Sequence, residues 1–285
     1  ACLVGSEMCI RDRGKSMGGG TDYDIAVVSL TPQGEERWVY RYNSPDSLSD
    51  VPHSIFAAPD SNLYVSGYSA KYWAGGPNED FIVLSLTPEG EERWMYRYNG
   101  PGDGDDWANA AVMGSDGNLY VAGRTYGGVS TGHDFTAIGL TPRGDSLWVR
   151  RYNGPGNGYD EAVAITLGVE DNLYLAGVSV GAGSAEDFTV MGLTPQGEER
   201  WIYRYDGQAS ELDWARSIVM GRSGSMYVAG LSTESDTSYD FLVVSLDVLG
   251  RERWAYRYSG PGSQDDGASC ITTGDDGNLY VAGYS

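Results

Sequence analysis

Short stretches of alternating apolar and polar residues recur along the chain at a nearly constant spacing. Each unit opens on an acid and a β-branched run such as DIAVVSLT (24–31), crosses a PQGEE turn and continues into RWVYRYN (37–43). Alternate side chains of a strand share one face, which places Trp38 and Tyr40 together. A glycine-rich loop and a pair of apolar runs joined by Asp-Gly, ending in LYVAG (119–123), complete the unit. Because Asp-Gly before an alternating run indicates a hairpin, the pattern predicts four antiparallel strands per unit and no long helix.

The unit occurs five times in phase. Its tryptophan recurs at intervals of 56, 54, 53 and 53 residues, at Trp38, Trp94, Trp148, Trp201 and Trp254. Four short strands in a repeat of this size are typical of a propeller blade, whereas solenoid coils usually have fewer. We therefore predict an all-β fold, a β-propeller of five four-stranded antiparallel blades, as an open arc, a piece of a larger ring or a five-blade closure. The expected blades are about 21–70, 77–126, 131–180, 184–233 and 237–285. The five tryptophans are expected to pack one blade on the next.

All length variation between repeats falls between the fourth strand of one unit and the first strand of the next. Since antiparallel strands alternate in direction, the loops after strands 2 and 4 emerge on one side, here named the loop face. Insertions on one face of a repeat protein often mark its binding face. Aromatic residues that the repeat does not require are the candidate ligand-binding residues there, with local loop packing as the alternative: Tyr72, Trp73, Trp107, Tyr126, Tyr159 and Trp214.

Charged residues also recur with the repeat. One arginine per unit lies opposite the tryptophan face and is expected to be structural, paired with an acid of the neighbouring blade such as Asp106 or Asp160: Arg41, Arg97, Arg151, Arg204 and Arg257. The acidic loop with Asp103, Asp105 and Asp106 offers clustered carboxylates that would suit Ca²⁺. Asp and Gly are also ordinary turn formers, and the later glutamate of an EF-hand loop is missing. Calcium therefore stays an alternative, and no other cofactor is predicted.

The overall charge limits the partners. With 40 acidic and 19 basic residues the net charge is −21, which repels nucleic acid and anionic lipid. No apolar run approaches the roughly 20 residues that span a bilayer. We therefore expect a protein or carbohydrate partner, no nucleic acid and no membrane insertion. Residues 1–20 share nothing with the repeats and are expected to be non-native or disordered, with residues 21–285 forming the propeller.

Motifs for catalysis are missing from the sequence. His53 and His133 lie at unrelated points of their repeats, and no metalloprotease, nucleophile-elbow or phosphate-loop motif occurs. Carboxylate pairs are abundant, but spacing alone does not choose a catalytic one. We therefore predict no catalytic residues and no enzyme activity.

The unit, best seen in RYNGPG (97–102) and GNLYVAG (117–123), resembles the SBBP-type seven-bladed β-propeller repeat of bacterial secreted and surface proteins. This resemblance implies an extracellular propeller without a general catalytic role. It favours a non-enzymatic module that binds or displays a protein or glycan through the loop face. The alternatives are a structural spacer and a propeller enzyme, quinoprotein-like or a hydrolase, with catalytic residues in the loop-face loops or in missing blades. The spacing of Gly34 and Trp38 is similar to the tryptophan-docking motif of quinoproteins, although the lead-in of that motif is missing.

Overall fold

The structure, a computed structural model, describes residues 10–17, 22–73, 76–207, 210–233, 238–262 and 264–285. Within these ranges the chain is all β, apart from one 3-10 turn at Val169–Asp171. No helix of this described part has the length and apolar character needed to cross a membrane.

The strands form six antiparallel sheets, each hydrogen-bonded in chain order. Sheet 1 contains β1 (Ile10–Met17), β2 (Tyr23–Leu30) and β3 (Glu36–Tyr42). Sheet 2 contains β4 (Asp50–Ala57), β5 (Leu63–Trp73), β6 (Gly76–Leu86) and β7 (Glu92–Tyr98). Sheet 3 contains β8 (Trp107–Met113), β9 (Leu119–Gly128), β10 (Gly132–Leu140) and β11 (Ser146–Tyr152). Sheet 4 contains β12 (Asp160–Leu167), β13 (Leu173–Val180), β14 (Glu186–Leu193) and β15 (Glu199–Tyr205). Sheet 5 contains β16 (Asp213–Met220), β17 (Met226–Thr233), β18 (Tyr239–Leu246) and β19 (Glu252–Tyr258), and sheet 6 contains β20 (Gly267–Thr273) and β21 (Leu279–Tyr284).

The sheets stack side by side around their first strands. β4, β8, β12, β16 and β20 contact one another in succession and are the inner strands. The outer strands, such as β3 and β11, expose alternate residues. Apolar side chains of neighbouring sheets fill the space between them, for example Ile25 and Val27 of sheet 1 against Leu63 and Val65 of sheet 2. This radial packing of four-stranded antiparallel sheets is the architecture of a β-propeller. Among the described strands, none of sheet 6 pairs with sheet 1.

The sheets are out of phase with the expected blades. The expected blade 77–126 contains β6 to β9, whereas hydrogen bonds join β4 to β7 and β8 to β11. The reason is local: β5 and β6 form a hairpin that pairs from Leu63↔Leu86 to Trp73↔Gly76, and the glycine-rich loop after β7 crosses to the next inner strand. The described residues therefore give four complete sheets and two incomplete ones. The segment expected to be non-native or disordered includes β1, which pairs with β2, while residues 1–9 and 18–20 lie outside the described residues.

Four of the five repeat tryptophans dock on the next sheet. The indole nitrogen of Trp38 donates to the Pro88 carbonyl at 2.9 Å, and a Cβ added to Gly90 in the same turn would lie 2.6 Å from the Trp38 ring. The same bond joins Trp94, Trp148 and Trp201 to the carbonyls of Pro142, Pro195 and Val248. Among the described residues no such turn lies over Trp254, which is 41% exposed.

The repeat arginines do not pair as expected. Arg97 contacts Asp80 at 2.8 Å, and the equivalent pairs join Arg41 to Asp24, Arg151 to Asp134, Arg204 to Asp187 and Arg257 to Asp240. The partner is thus the opening acid of the adjacent strand in the same sheet, and not Asp106 or Asp160. The contact between sheets is made to a tyrosine hydroxyl, as Arg97 donates to Tyr42 at 3.2 Å.

The acids expected to pair with these arginines instead hold the glycine-rich loops. The Asp106 carboxylate accepts the backbone N–H of Gly100 at 2.6 Å and of Tyr126 at 2.7 Å. Asp160 binds Gly154 and Val180 in the same way. These aspartates are fully buried, and each ties the loop that enters an inner strand to the end of the next strand.

Candidate functional site

The candidate site lies on the loop face, where the inner strands begin. Two positions near the start of these strands, the second and the fourth, vary widely in size and charge from repeat to repeat. The second is Val51, Trp107, Glu161, Trp214 and Gly267, and the fourth is His53, Asn109, Val163, Arg216 and Ser269. The fourth residue lies in a register shift of each inner strand, such as that between Ala108 and Ala110. Such bulges commonly re-aim a side chain next to a functional site.

Aromatic rings and a guanidinium stack at the junction of sheets 2, 3 and 4. Trp107 stacks on Tyr68 with ring centroids 5.4 Å apart, and His53 meets its ring edge-on at 5.3 Å. The Arg124 guanidinium carbon lies 3.6 Å from the centre of the Trp107 ring and 5.2 Å from that of Tyr159. Arg124 also donates to the Tyr159 hydroxyl and is 8% exposed. A buried guanidinium between two rings is a cation–π arrangement that holds all three side chains in place.

Two glutamates flank this stack. Glu79 accepts the indole N–H of Trp107 at 2.5 Å. Glu161 accepts the Tyr159 hydroxyl at 2.5 Å and the Asn109 amide at 2.8 Å. Burial raises the pKa of Glu79, and the negative charge of Asp105 adds to this rise. A half-buried carboxyl of this kind holds a proton to higher pH than usual, which is what a general acid needs.

Two imidazoles border the same cluster. His133 lies between Tyr126 at 5.3 Å and Tyr159 at 5.6 Å. Burial lowers the pKa of His133 and of His53, and the positive charge of Arg124 lowers both further. Both rings are therefore neutral at pH 7 and able to accept a proton.

The structure brings three of the predicted ligand-binding residues together and leaves the others apart. Trp107, Tyr126 and Tyr159 belong to the cluster just described. Tyr72 is 59% exposed, and its backbone N–H donates to Asp46, while the side chain of Trp73 lies outside the described residues. Trp214 lies in sheet 5, where Arg216 is 5.9 Å from its ring.

Sequence reasoning missed seven members of the cluster: His53, Tyr68, Glu79, Asn109, Arg124, His133 and Glu161. The signal that could have found them is the difference between repeats. Arg124 pairs with Trp107 across the sheet, while the equivalent pairs in sheets 4 and 5 are Glu161 with Val178 and Trp214 with Leu231. Because Val and Leu satisfy the fold at this position, an arginine there is not required by it.

The acidic loop does not form a common cation site. Asp103 accepts the Asn99 amide, Asp105 accepts the backbone N–H of Glu79, and Asp106 holds its loop. Within the described ranges, no group of three or more His, Cys, Asp or Glu side chains is placed to hold a metal ion.

No family model matches the chain, and no curated protein matches it closely. Solved structures do resemble it. One named glucose dehydrogenase has 12% identity and a TM-score of 0.50, and the match covers 95% of this chain and 91% of that chain. CoXyl43, a GH43 β-xylosidase/α-arabinofuranosidase from a compost microbial metagenome, has 13% identity and a TM-score of 0.43 over 81% and 83%. A luciferin-regenerating enzyme has 15% identity and a TM-score of 0.43 over 92% and 81%.

These comparisons support the propeller fold and correct one expectation. At 12% identity and a TM-score of 0.50, the likeness to the glucose dehydrogenase structure shows a shared fold. The prediction that the chain is not an enzyme is contradicted, because the structure that shares its fold at a TM-score of 0.50 is named a glucose dehydrogenase. Repeated strands without a catalytic motif are therefore no argument against activity in this fold.

Proposed function

We propose that this chain is a β-propeller enzyme that hydrolyses a glycosidic bond at the loop-face cluster. The observation that carries the proposal is the convergence, at the junction of three sheets, of side chains that the repeat does not require. One of these side chains is Glu79, whose carboxyl has a raised pKa. The others supply aromatic rings and amide and hydroxyl groups. Aromatic faces and oriented polar groups together suit a hydroxyl-rich ring such as a sugar.

Glu79 and Asp105 fit the two roles that glycoside hydrolysis needs. Glu79 is half-buried and burial raises its pKa, whereas Asp105 is exposed on the loop that joins β7 and β8. Two carboxyl groups with contrasting environments are the usual acid and base of such a reaction. Glu79 donates its proton to the leaving oxygen as the glycosidic bond breaks. Water forms the new bond to the sugar carbon and gives its proton to Asp105.

The aromatic stack positions the substrate and the acid. The Trp107 indole N–H fixes the Glu79 carboxylate, and Arg124 fixes the Trp107 ring. Loss of Trp107 would therefore weaken both substrate binding and the orientation of the acid.

The test is hydrolysis of aryl glycosides and plant or bacterial oligosaccharides by the purified chain, followed by Glu79→Gln. We expect activity to fall about 10²–10⁴-fold, the usual contribution of a general acid. Glu186→Gln is the matched control because Glu186 holds the same place in the repeat, directly before Asp187, as Glu79 does before Asp80. Equal activity of the Glu79 and Glu186 variants would refute the role of Glu79. Sugar capture without bond cleavage, or sugar oxidation after addition of a quinone cofactor, would refute hydrolysis as the reaction.

The setting of this activity is proposed from the repeat resemblance alone. We propose an extracellular protein related to the SBBP-type repeat proteins, with a carbohydrate partner at the loop face. A glycan array probed with the wild-type chain and with Trp107→Ala tests the partner. Retention that is equal for the two proteins would place the contact elsewhere.

A further inference from the structure

A cavity of about 380 Å³ opens on the side of the propeller opposite the loop face, where the inner strands end. We call this side the turn face, and it carries the turns 58–62, 114–118, 168–172, 221–225 and 274–278. The cavity is lined at the ends of β4, β8 and β12 by residues that include Phe56, Met113 and Leu167. Thr166 is the one polar side chain among its described lining residues. The volume is within the roughly 300–1,000 Å³ of pockets that take a ligand.

The sheets that form the cavity lie in the middle of the chain. Sheets 2, 3 and 4 are each complete, and their inner strands contact one another in succession, with β16 of sheet 5 following. Phe56 stacks on Tyr64 with ring centroids 5.4 Å apart, and Met113 packs against the same core between sheets 2 and 3. The wall of the cavity is therefore held by the packing between complete sheets.

Each of the three turns that follow these strand ends carries an acid. Asp60 directly follows Pro59, which lines the cavity, and Asp116 lies three residues after Met113. Glu170 lies in the third turn, and all three acids are exposed. Within the described part of the chain, no lysine or arginine forms an ion pair with any of them. Their charges are therefore available to a cation from outside.

The turns of sheets 3 and 4 touch each other. Asp171 accepts the backbone N–H of Ser115 at 2.9 Å and its hydroxyl at 2.5 Å. Glu170 and Asp171 both have positive φ, 59° and 56°, and the preceding Val169 is 70% exposed. Left-handed backbone at residues other than glycine is costly and is concentrated at functional sites. The contact with Ser115 thus holds an exposed apolar side chain and two carboxylates directly beyond the cavity wall.

The chain itself shows how a cation binds between turns of this face. Between sheets 5 and 6, Arg222 donates to the Asp275 carboxylate at 2.8 Å and to the Asp275 carbonyl at 3.2 Å. Arg222 is the second residue of its turn, and the same position in sheets 2, 3 and 4 is Pro59, Ser115 and Val169. The turns around the cavity therefore have acids but no arginine of their own at this place.

From the apolar cavity and these acids we propose that the turn face docks a protein partner through apolar side chains flanked by arginine or lysine. The apolar side chains enter the cavity, and the flanking cations meet Asp60, Asp116 and Glu170. Burial of apolar surface supplies most of the affinity, whereas exposed ion pairs mainly direct the partner. No residue of the loop-face cluster takes part, so this docking is independent of the proposed hydrolysis.

The experiment is fluorescence polarisation of a labelled peptide with the core Arg-Leu-Phe-Lys between glycine–serine flanks. A control peptide has Ser-Ser in place of Leu-Phe and keeps the charges. We expect the first peptide to bind at least about tenfold more tightly, because the control loses the burial of two apolar side chains. Equal binding would overturn the proposal, since it would reflect attraction by the net charge of −21 alone. Absence of binding by the first peptide at millimolar concentration would overturn it as well.

Asp116→Asn and Asp276→Asn are a matched pair of variants. Each aspartate accepts the backbone N–H and the side-chain amide of the asparagine two residues later, and a tyrosine hydroxyl, but Asp276 lies in sheet 6. Asp116→Asn should weaken peptide binding about two- to fivefold, the size expected for one exposed ion pair. Asp276→Asn should bind like the wild type. Equal binding by the two variants would contradict the placement of the cation.

The methyl signal of Met113 locates the bound peptide. In a chain isotope-labelled at its methionine methyl groups, the peptide should shift the nuclear magnetic resonance signal of Met113. The signal of Met226, which is fully buried in sheet 5, should stay unchanged. Met113→Leu assigns the signal, and circular dichroism shows whether each variant is folded. A bound peptide that leaves the Met113 signal in place would overturn the proposal, because the peptide would then lie outside the cavity.

Discussion

The docked tryptophans allow the same substitution to be compared at equivalent positions of one chain. Trp148 is partly buried, donates to the Pro195 carbonyl at 2.9 Å and stacks on Tyr120 at 6.0 Å. Trp148→Ala removes a hydrogen bond of about 1 kcal/mol, a ring contact of about 1 kcal/mol and apolar contact with the turn of about 1–2 kcal/mol. We therefore expect the free energy of unfolding to fall by about 3–4 kcal/mol.

The matched variant is Trp254→Ala in sheet 5. This ring keeps one aromatic neighbour, Tyr227 at 5.9 Å, but has no turn to dock on within the described chain. Its loss should lower stability by only about 1 kcal/mol, since the ring contact alone is removed.

The assay is thermal unfolding followed by far-ultraviolet circular dichroism. For a chain of this size, about 1 kcal/mol corresponds to roughly 2–4 °C in Tm, so the two variants should differ by several degrees. Equal Tm values for the two variants would refute the reasoning, because they would mean that docking on the next sheet adds nothing to the stability.

Three further predictions concern the repeated frame. Burial raises the pKa of Asp106 to about 7, so between about pH 4 and 7 the folded state holds a proton that the unfolded chain has released. Thermal melts should show stability falling as pH rises through this window, and falling less in Asp106→Asn; an equal slope would contradict this. Arg204→Lys keeps the charge but loses the forked hydrogen bonds to sheets 3 and 4. Urea unfolding should show that the free energy of unfolding falls by about 1–3 kcal/mol. An unchanged urea midpoint would mean that these hydrogen bonds do not contribute to stability. Gly144→Ala should destabilise the protein more than Gly34→Ala in the same assay. Both glycines have φ +86°, but only at Gly144 would the added Cβ lie 2.7 Å from the Trp94 ring. Equal losses of stability would mean that backbone strain alone matters.

Strand content and the role of the tryptophans could be predicted because both depend on local pattern. Alternation predicts a strand wherever it occurs, and a residue repeated at a fixed interval has to have the same surroundings each time. The start of a blade could not be read in this way, because a periodic sequence looks the same from any starting point. The pairing of the second strand of a sheet with the third, as of β5 with β6 or β9 with β10, shows that the blade begins after the glycine-rich loop.

The predicted partner of the repeat arginines was wrong for a related reason. Two acids recur once per repeat with the same interval as Arg97, namely the opening acid Asp80 and the loop acid Asp106. Spacing cannot choose between them, and the structure does so through the strand register, which places Arg97 on β7 next to Asp80 on β6. Asp106 is then available to bind backbone N–H groups, which is a role without a sequence signature beyond its recurrence.

The candidate site was found only in part because the search followed exposed loops. Trp107 and Tyr159 were noticed as unusual aromatics, but Arg124, which holds both, lies within β9 and is almost fully buried. A buried arginine is costly unless it is paired, and here it is held by rings and a hydroxyl rather than by an acid. Such a residue can be recognised in the sequence only by comparing repeats with one another.

The comparison of repeats also separates the acids of the frame from those of the site. Asp80 neutralises an arginine, and Asp106 accepts two backbone N–H groups, so the fold itself accounts for both. The position of Glu79 is held by tyrosine in the first and fifth repeats and by histidine in the third, so the frame does not require an acid there. Its bond to Trp107 brings together two residues that the frame leaves free to vary, which is the arrangement expected of a site added to a fold rather than of the fold itself.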